Sequence, residues 1–146
     1  MRKTGPSKAV QDLVHARSGG LCERCGDSGG EQIHHRRPRG MGGTRRESTN
    51  LPSALLDLCQ PCHAWVETTG RSNGESYRKG FLVRQAQDPA AVPVHYREGA
   101  AVYLGESGAL SSCTHEDTLE LRYGDYGDYL ECADCGDQFN TDGGSL

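Results

Sequence analysis

Two Cys-x-x-Cys pairs constrain this chain more than any other feature: Cys22-x-x-Cys25, then Cys59-x-x-Cys62 after 33 intervening residues. A pair at that spacing turns two thiolates to one side of a tight knuckle. Two knuckles together make a tetrahedral four-sulfur site with Zn–S bonds of about 2.3 Å. Between the pairs lies His34-His35, preceded by Gln32-Ile33; His63 follows Cys62 directly and Glu67 comes four residues later. The pattern reads as two metal assignments: a structural zinc on Cys22, Cys25, Cys59 and Cys62, and a catalytic divalent ion between His34 and His63.

Such staples suit the composition. The 146 residues are only 34% hydrophobic and include 20 Gly and 6 Pro, and the mean hydropathy is −0.70. A core that thin is commonly supplemented by metal. The length fits one ordinary domain, or a small domain with an appended module. No apolar run approaches membrane-spanning length, and Met1-Arg2-Lys3-Thr4-Gly5-Pro6 lacks the apolar segment of a signal peptide. A cytoplasmic protein with reduced thiols and no membrane partner is expected, so that its cysteines serve metal or redox chemistry. The formal net charge of −4 hides an asymmetry. Residues 1–50 carry 10 Lys+Arg against 5 Asp+Glu, whereas residues 51–146 carry 6 against 15. The basic half can meet a phosphate backbone and the acidic half would be repelled from it.

Along the chain, Ser7 can cap a helix through Ala9, Val10, Leu13 and Val14 that Gly19-Gly20 ends, with His15 as a surface or capping histidine near its end. Glu31–His35 reads as a strand. Adjacent strand residues point to opposite faces, so one histidine can ligate an ion while its neighbour serves as a base; the alternative is a pair of surface histidines. From Arg36 to Arg46, five arginines and three glycines fall in eleven residues. Guanidinium forks match phosphate oxygens and glycines permit close approach, making Arg36, Arg37, Arg39, Arg45 and Arg46 candidate DNA contacts, against a merely solvated loop. Ala64–Thr68 reads as a short helix stopped at Gly70. It sets His63 and Glu67 at i and i+4 on one face, Glu67 serving either as a ligand or as a solvent carboxylate paired with an arginine. Residues 80–83, 93–96 and 100–104 read as short strands, with His95 on a strand surface.

Cys22-x-x-Cys25, His34-His35-Arg36, the Arg/Gly loop and Leu58-Cys59-x-x-Cys62-His63-x-Trp65-Val66-Glu67 together resemble the HNH endonucleases of the ββα-metal type. More narrowly, residues 33–46 are similar to HNH proteins encoded by phages of actinobacteria. The resemblance spans about residues 10–105 and implies an α+β fold: a small ββα-metal core stapled by a four-cysteine zinc, with a short β extension. It implies His34 and His63 as ligands of the catalytic ion, Glu67 as a further ligand and His35 as general base. The divalent ion would be Mg²⁺, Mn²⁺, Ni²⁺ or Zn²⁺. The implied substrate is DNA, expected double-stranded, cut to 5′-phosphate and 3′-hydroxyl ends. The family's asparagine usually stands where this chain has Ala54; Asn50, four residues earlier, is the nearest substitute.

Cys113-x-His115 and, after sixteen intervening residues, Cys132-x-x-Cys135 resemble a zinc ribbon holding a second structural zinc, with a hairpin between them; disulfides or idle thiols are the alternative. The expected organisation is a nuclease domain with its β extension over 1–110, the C-terminal ribbon over 111–139 and a flexible tail over 140–146. Residues 111–146 hold nine acidic residues and one arginine, which suits docking to a basic protein partner better than gripping DNA. The functional expectation is a metal-dependent DNA endonuclease or nickase in phage DNA processing or packaging, acting in the bacterial host cytoplasm. The alternative is a zinc-dependent accessory module, for example to a terminase, with weak or no cleavage; the terminase link comes from the phage resemblance alone.

Overall fold

The structure is a computed structural model that describes residues 5–38, 46–111, 119–125, 127–132 and 138–140. The chain divides into two compact units, Met1–Ser111 and Ser112–Leu146. It is a mixed α/β protein with several small sheets.

The first unit opens with α1 (Lys8–Ser18). Ser7 caps it by accepting from the Val10 amide, and Gly19 ends it in the left-handed conformation at φ 65°, its N–H donating to the His15 carbonyl. Strands β1 (Gln32–His35) and β2 (Leu55–Leu58) pair antiparallel, with His34 opposite Leu56 and His35 opposite Leu55. β2 is buried along its length. It feeds directly into α2 (Gln60–Glu67), whose first turn contains Pro61, a residue with no N–H to leave unsatisfied there. Thr68 breaks the helix at φ −119°, ψ −89°, and α3 (Thr69–Ser72) and α4 (Glu75–Arg78) follow.

Gly70 was expected to stop the helix, but it lies inside α3 and is buried there. A Cβ at Gly70 would run into Ser76 Oγ and the Trp65 ring. The glycine therefore marks a close approach rather than a terminus. Residues 80–83 likewise form no strand. Phe81, Leu82 and Val83 are buried in a connecting segment, whose amides at Leu82 and Val83 donate to the Ser76 and Arg36 carbonyls. An apolar run buried on all sides reads like a strand in sequence. β3 (Val94–His95), β4 (Ala101–Leu104) and β5 (Leu110–Ser111) form an antiparallel sheet in the order β3-β4-β5, with His95 exposed. The core joins Leu56 and Leu58 of β2, Val66 of α2, Phe81, Leu82, Val94 and Leu104 around the thiols of Cys22 and Cys62.

The arginines that open the Arg/Gly loop correct an expectation. Arg36 and Arg37 have 0% and 1% exposure and cannot reach a DNA backbone. Arg36 donates to four main-chain carbonyls: Gly80 (2.8 Å), Ser53 (2.7 Å), Pro89 (3.0 Å) and Val92 (2.6 Å). Burial pulls its pKa down to about 9. Arg37 donates to Thr49 Oγ1, Ser48 Oγ and the Gln87 carbonyl. Both guanidinium groups thus tie connecting segments together from within, a use that depends on the fork geometry of arginine. Arg46 is exposed and donates to the Gln85 carbonyl at 3.0 Å. Arg39 and Arg45 lie outside the described residues.

In the second unit, β6 (Leu119–Gly124), β7 (Gly127–Cys132) and β8 (Gln138–Asn140) form an antiparallel sheet in that order. The expected hairpin is β6-β7, with Leu119 opposite Cys132 and Tyr123 opposite Asp128. Tyr123 stands exposed. Cys132 closes β7; Cys113, His115, Cys135 and residues 141–146 lie outside the described residues. Among the described residues, no helix is long and apolar enough to cross a membrane.

Candidate metal centres

The two knuckles bring Cys22, Cys25, Cys59 and Cys62 together, with all four sulfurs within 4.8 Å of one another. Cys25 Sγ and Cys59 Sγ are 3.8 Å apart. That is about the edge of a tetrahedron with arms of about 2.3 Å, and far beyond a disulfide bond of about 2.05 Å. The amides of Arg24 and Cys25 point at Cys22 Sγ. Burial pushes the Cys22 thiol up, but amide hydrogen bonds from Cys25, Cys59 and Arg24 outweigh it and hold the group at about 7. Arg24 closes the cluster from outside: its guanidinium lies 3.8 Å over the Trp65 ring and Nη1 donates to Cys62 Sγ at 3.2 Å. Four thiols with convergent donors form a site that could hold a soft or borderline metal ion.

A second site lies where β1 meets α2. His34 of β1 and His63 and Glu67 of α2 offer ligand atoms within 4.8 Å of one another. The rings of His34 and His63 stand edge to face with centroids 5.2 Å apart. His34 is 1% exposed, and its Nε2 lies 2.7 Å from the Phe81 carbonyl. A carbonyl only accepts, so Nε2 carries the proton and the lone pair sits on Nδ1. That Nδ1 is buried without a hydrogen-bond partner, 3.4 Å from Glu67 Oε1. Burial drives the His34 pKa down to about 3, so the ring is neutral. An orphaned buried lone pair beside a carboxylate and a second imidazole is a donor set that fits a divalent cation. Glu67, at 38% exposure, also lies 3.6 Å from Arg71 Nη1, an i, i+4 ion pair on the helix surface. Gln32, Gln60, His63, Ala64, Glu67 and Thr68 line an open groove of about 240 Å³ at this place.

His35, half-buried and next in the strand, takes no part in that cluster. Its Nε2 lies 2.9 Å from Asn50 Oδ1. With the amide oxygen accepting, the proton sits on Nε2 and the basic lone pair on Nδ1. Asn50 closes a 3₁₀ turn over Glu47–Thr49. Ala54 is buried and its carbonyl receives the Arg36 amide. Asn50 therefore reaches His35 from its own turn, fifteen residues downstream.

Several supporting residues carry no local sequence signal. The Phe81 carbonyl, the Arg24 stack and the amide of Gln32, whose Oε1 is 2.8 Å from His63 Nδ1, all act over long separations. His15 is also more than a surface group. Its Nδ1 lies 2.7 Å from Oδ2 of the buried Asp57, which Ser18 Oγ also reaches at 2.6 Å. Arg17 and Glu23 form a buried bidentate pair, and Glu23 Oε1 accepts from the Asp57 amide. These networks lock α1 and the first knuckle onto β2. No protein-family model, curated protein or solved structure matches the chain.

Proposed function

We propose that this chain is a metal-dependent DNA endonuclease of the HNH kind, with His35 as general base. The observation that carries this reading is the buried, partnerless Nδ1 of His34, set toward Glu67 and His63 one residue from a histidine held by Asn50. The succession β1, β2, α2 around that point supports the reading, since it is compatible with a strand–strand–helix core. Chemically, a base and a cation-holding cluster side by side suit hydrolysis of a phosphodiester.

His34, His63 and Glu67 would hold the working ion, and Cys22, Cys25, Cys59 and Cys62 a structural zinc. A divalent ion held by His34, His63 and Glu67 would supply Lewis-acid charge to neutralise the phosphate oxygens. The protein's own groups do the rest. Asn50 Oδ1 accepts from His35 Nε2 and so orients the ring, which as general base takes a proton from water. The water oxygen attacks phosphorus in line and the P–O3′ bond breaks; the departing 3′ oxygen takes a proton from solvent water, leaving a 5′-phosphate and a 3′-hydroxyl. Arg71, beside Glu67, and the exposed Arg46 offer positive charge for the strand, in place of the interior Arg36 and Arg37.

Incubation of supercoiled plasmid with the protein and Mg²⁺, Mn²⁺ or Ni²⁺ tests the proposal. Nicked or linear product is expected from the wild type, with the rate about 10²–10⁴-fold lower for His35→Ala. Equal cutting by both would remove His35 from the base role. A second reading, a zinc-dependent accessory module that binds nucleic acid or a phage packaging protein such as a terminase, draws support from the loss of Arg36 and Arg37 to the interior. Absence of cutting with any ion, alongside retained DNA or protein binding, would favour it.

A further inference from the structure

We propose that Gln32 selects the ligating nitrogen of His63 and so tunes the affinity of the His34–His63–Glu67 centre for its ion; this rests on the metal-centre reading above. Gln32 opens β1, whereas His63 sits in the first turns of α2, 31 residues later. The Gln32 Oε1–His63 Nδ1 contact at 2.8 Å bridges the strand to the helix, and both residues line the groove. Accepting Nδ1–H leaves the His63 lone pair on Nε2. The Phe81 carbonyl does the converse for His34, taking Nε2–H and leaving Nδ1. Each acceptor thereby places a proton on one nitrogen of its ring and leaves the other nitrogen to face an ion. Ligating histidines are commonly oriented and made more basic in this way by a partner on the other nitrogen.

A purely structural role for Gln32 fits poorly. Its side chain is exposed, and β1 is already registered on β2 by the backbone ladder, with Gln32 opposite Leu58. An exposed side-chain hydrogen bond adds little to folding, while its effect on a ligand's tautomer is direct.

The test is calorimetric titration of the zinc-purified full chain with Ni²⁺, an ion suited to imidazole ligands, together with thermal unfolding of each variant. Gln32→Ala is expected to weaken Ni²⁺ binding about 10–100-fold with an unchanged Tm in the absence of added Ni²⁺. Gln32→Glu retains an acceptor at the same place and is expected to restore binding to at least the wild-type level. Wild-type affinity in Gln32→Ala would overturn the proposal. So would a loss in Gln32→Glu equal to that in Gln32→Ala, since it would show the amide donating to Nδ1 instead of accepting. His34→Ala separates the two levels: if it leaves Ni²⁺ uptake unchanged, or if the wild type takes up none, the metal centre itself fails and the role of Gln32 falls with it.

Discussion

Arg36 and Asn50 carry opposite kinds of residue-level consequence. Arg36 is wholly buried and its guanidinium satisfies four carbonyls, so removing it strands acceptors in a place water does not reach. Arg36→Ala should destabilise the fold by about 3–5 kcal/mol, seen as a lower midpoint in urea unfolding. It should leave the salt dependence of DNA binding by the folded protein unchanged, because no phosphate contact is lost. Asn50 acts instead on the His35 ring. Asn50→Ala releases the tautomer and should slow plasmid cleavage at least about ten-fold, while Asn50→Asp keeps an acceptor and should retain more of the rate. Unfolding midpoints measured beside the rates separate positioning from stability.

Among the elements, α2 does most to join the two candidate sites, since it carries Cys62 into the core and His63 and Glu67 toward β1. Its junction with α3 depends on Gly70, where a methyl group would strike Ser76 and Trp65. Gly70→Ala should therefore cost about 1–3 kcal/mol by overpacking, measurable by thermal unfolding; an unchanged Tm would mean that Ser76 and Trp65 shift freely. How far such elements were legible in the sequence follows the range of the interactions that make them. The α1 caps, the β1 strand and the cysteine knuckles rest on neighbours within a few residues, and spacing alone suggested them. The interior fate of Arg36 was not legible, because its acceptors lie 17 to 56 residues away and an arginine run looks the same whether solvated or buried. Gln32 escaped for the same reason, and the His35–Asn50 contact arises only from the turn at Glu47–Thr49.

For the whole molecule, the cysteine cluster is part of the hydrophobic core rather than an ornament on it: Cys22 and Cys62 pack among Leu56, Leu58, Val66 and Phe81. A structural zinc there would contribute about 10–16 kcal/mol of binding free energy to a thin core. Strong chelator, or Cys59→Ser, should therefore abolish cooperative unfolding of the first unit in calorimetry, with recovery on zinc addition only where all four thiols remain. The functional proposal needs the other centre. It is tested most directly by the metal content of the wild type and of a His34→Ala/His63→Ala double variant, each equilibrated with the same divalent ion and counted by mass spectrometry. One ion fewer per chain in the variant, with an unchanged circular dichroism spectrum, is the predicted result. Equal metal content in two folded proteins would contradict a metal centre at His34, His63 and Glu67.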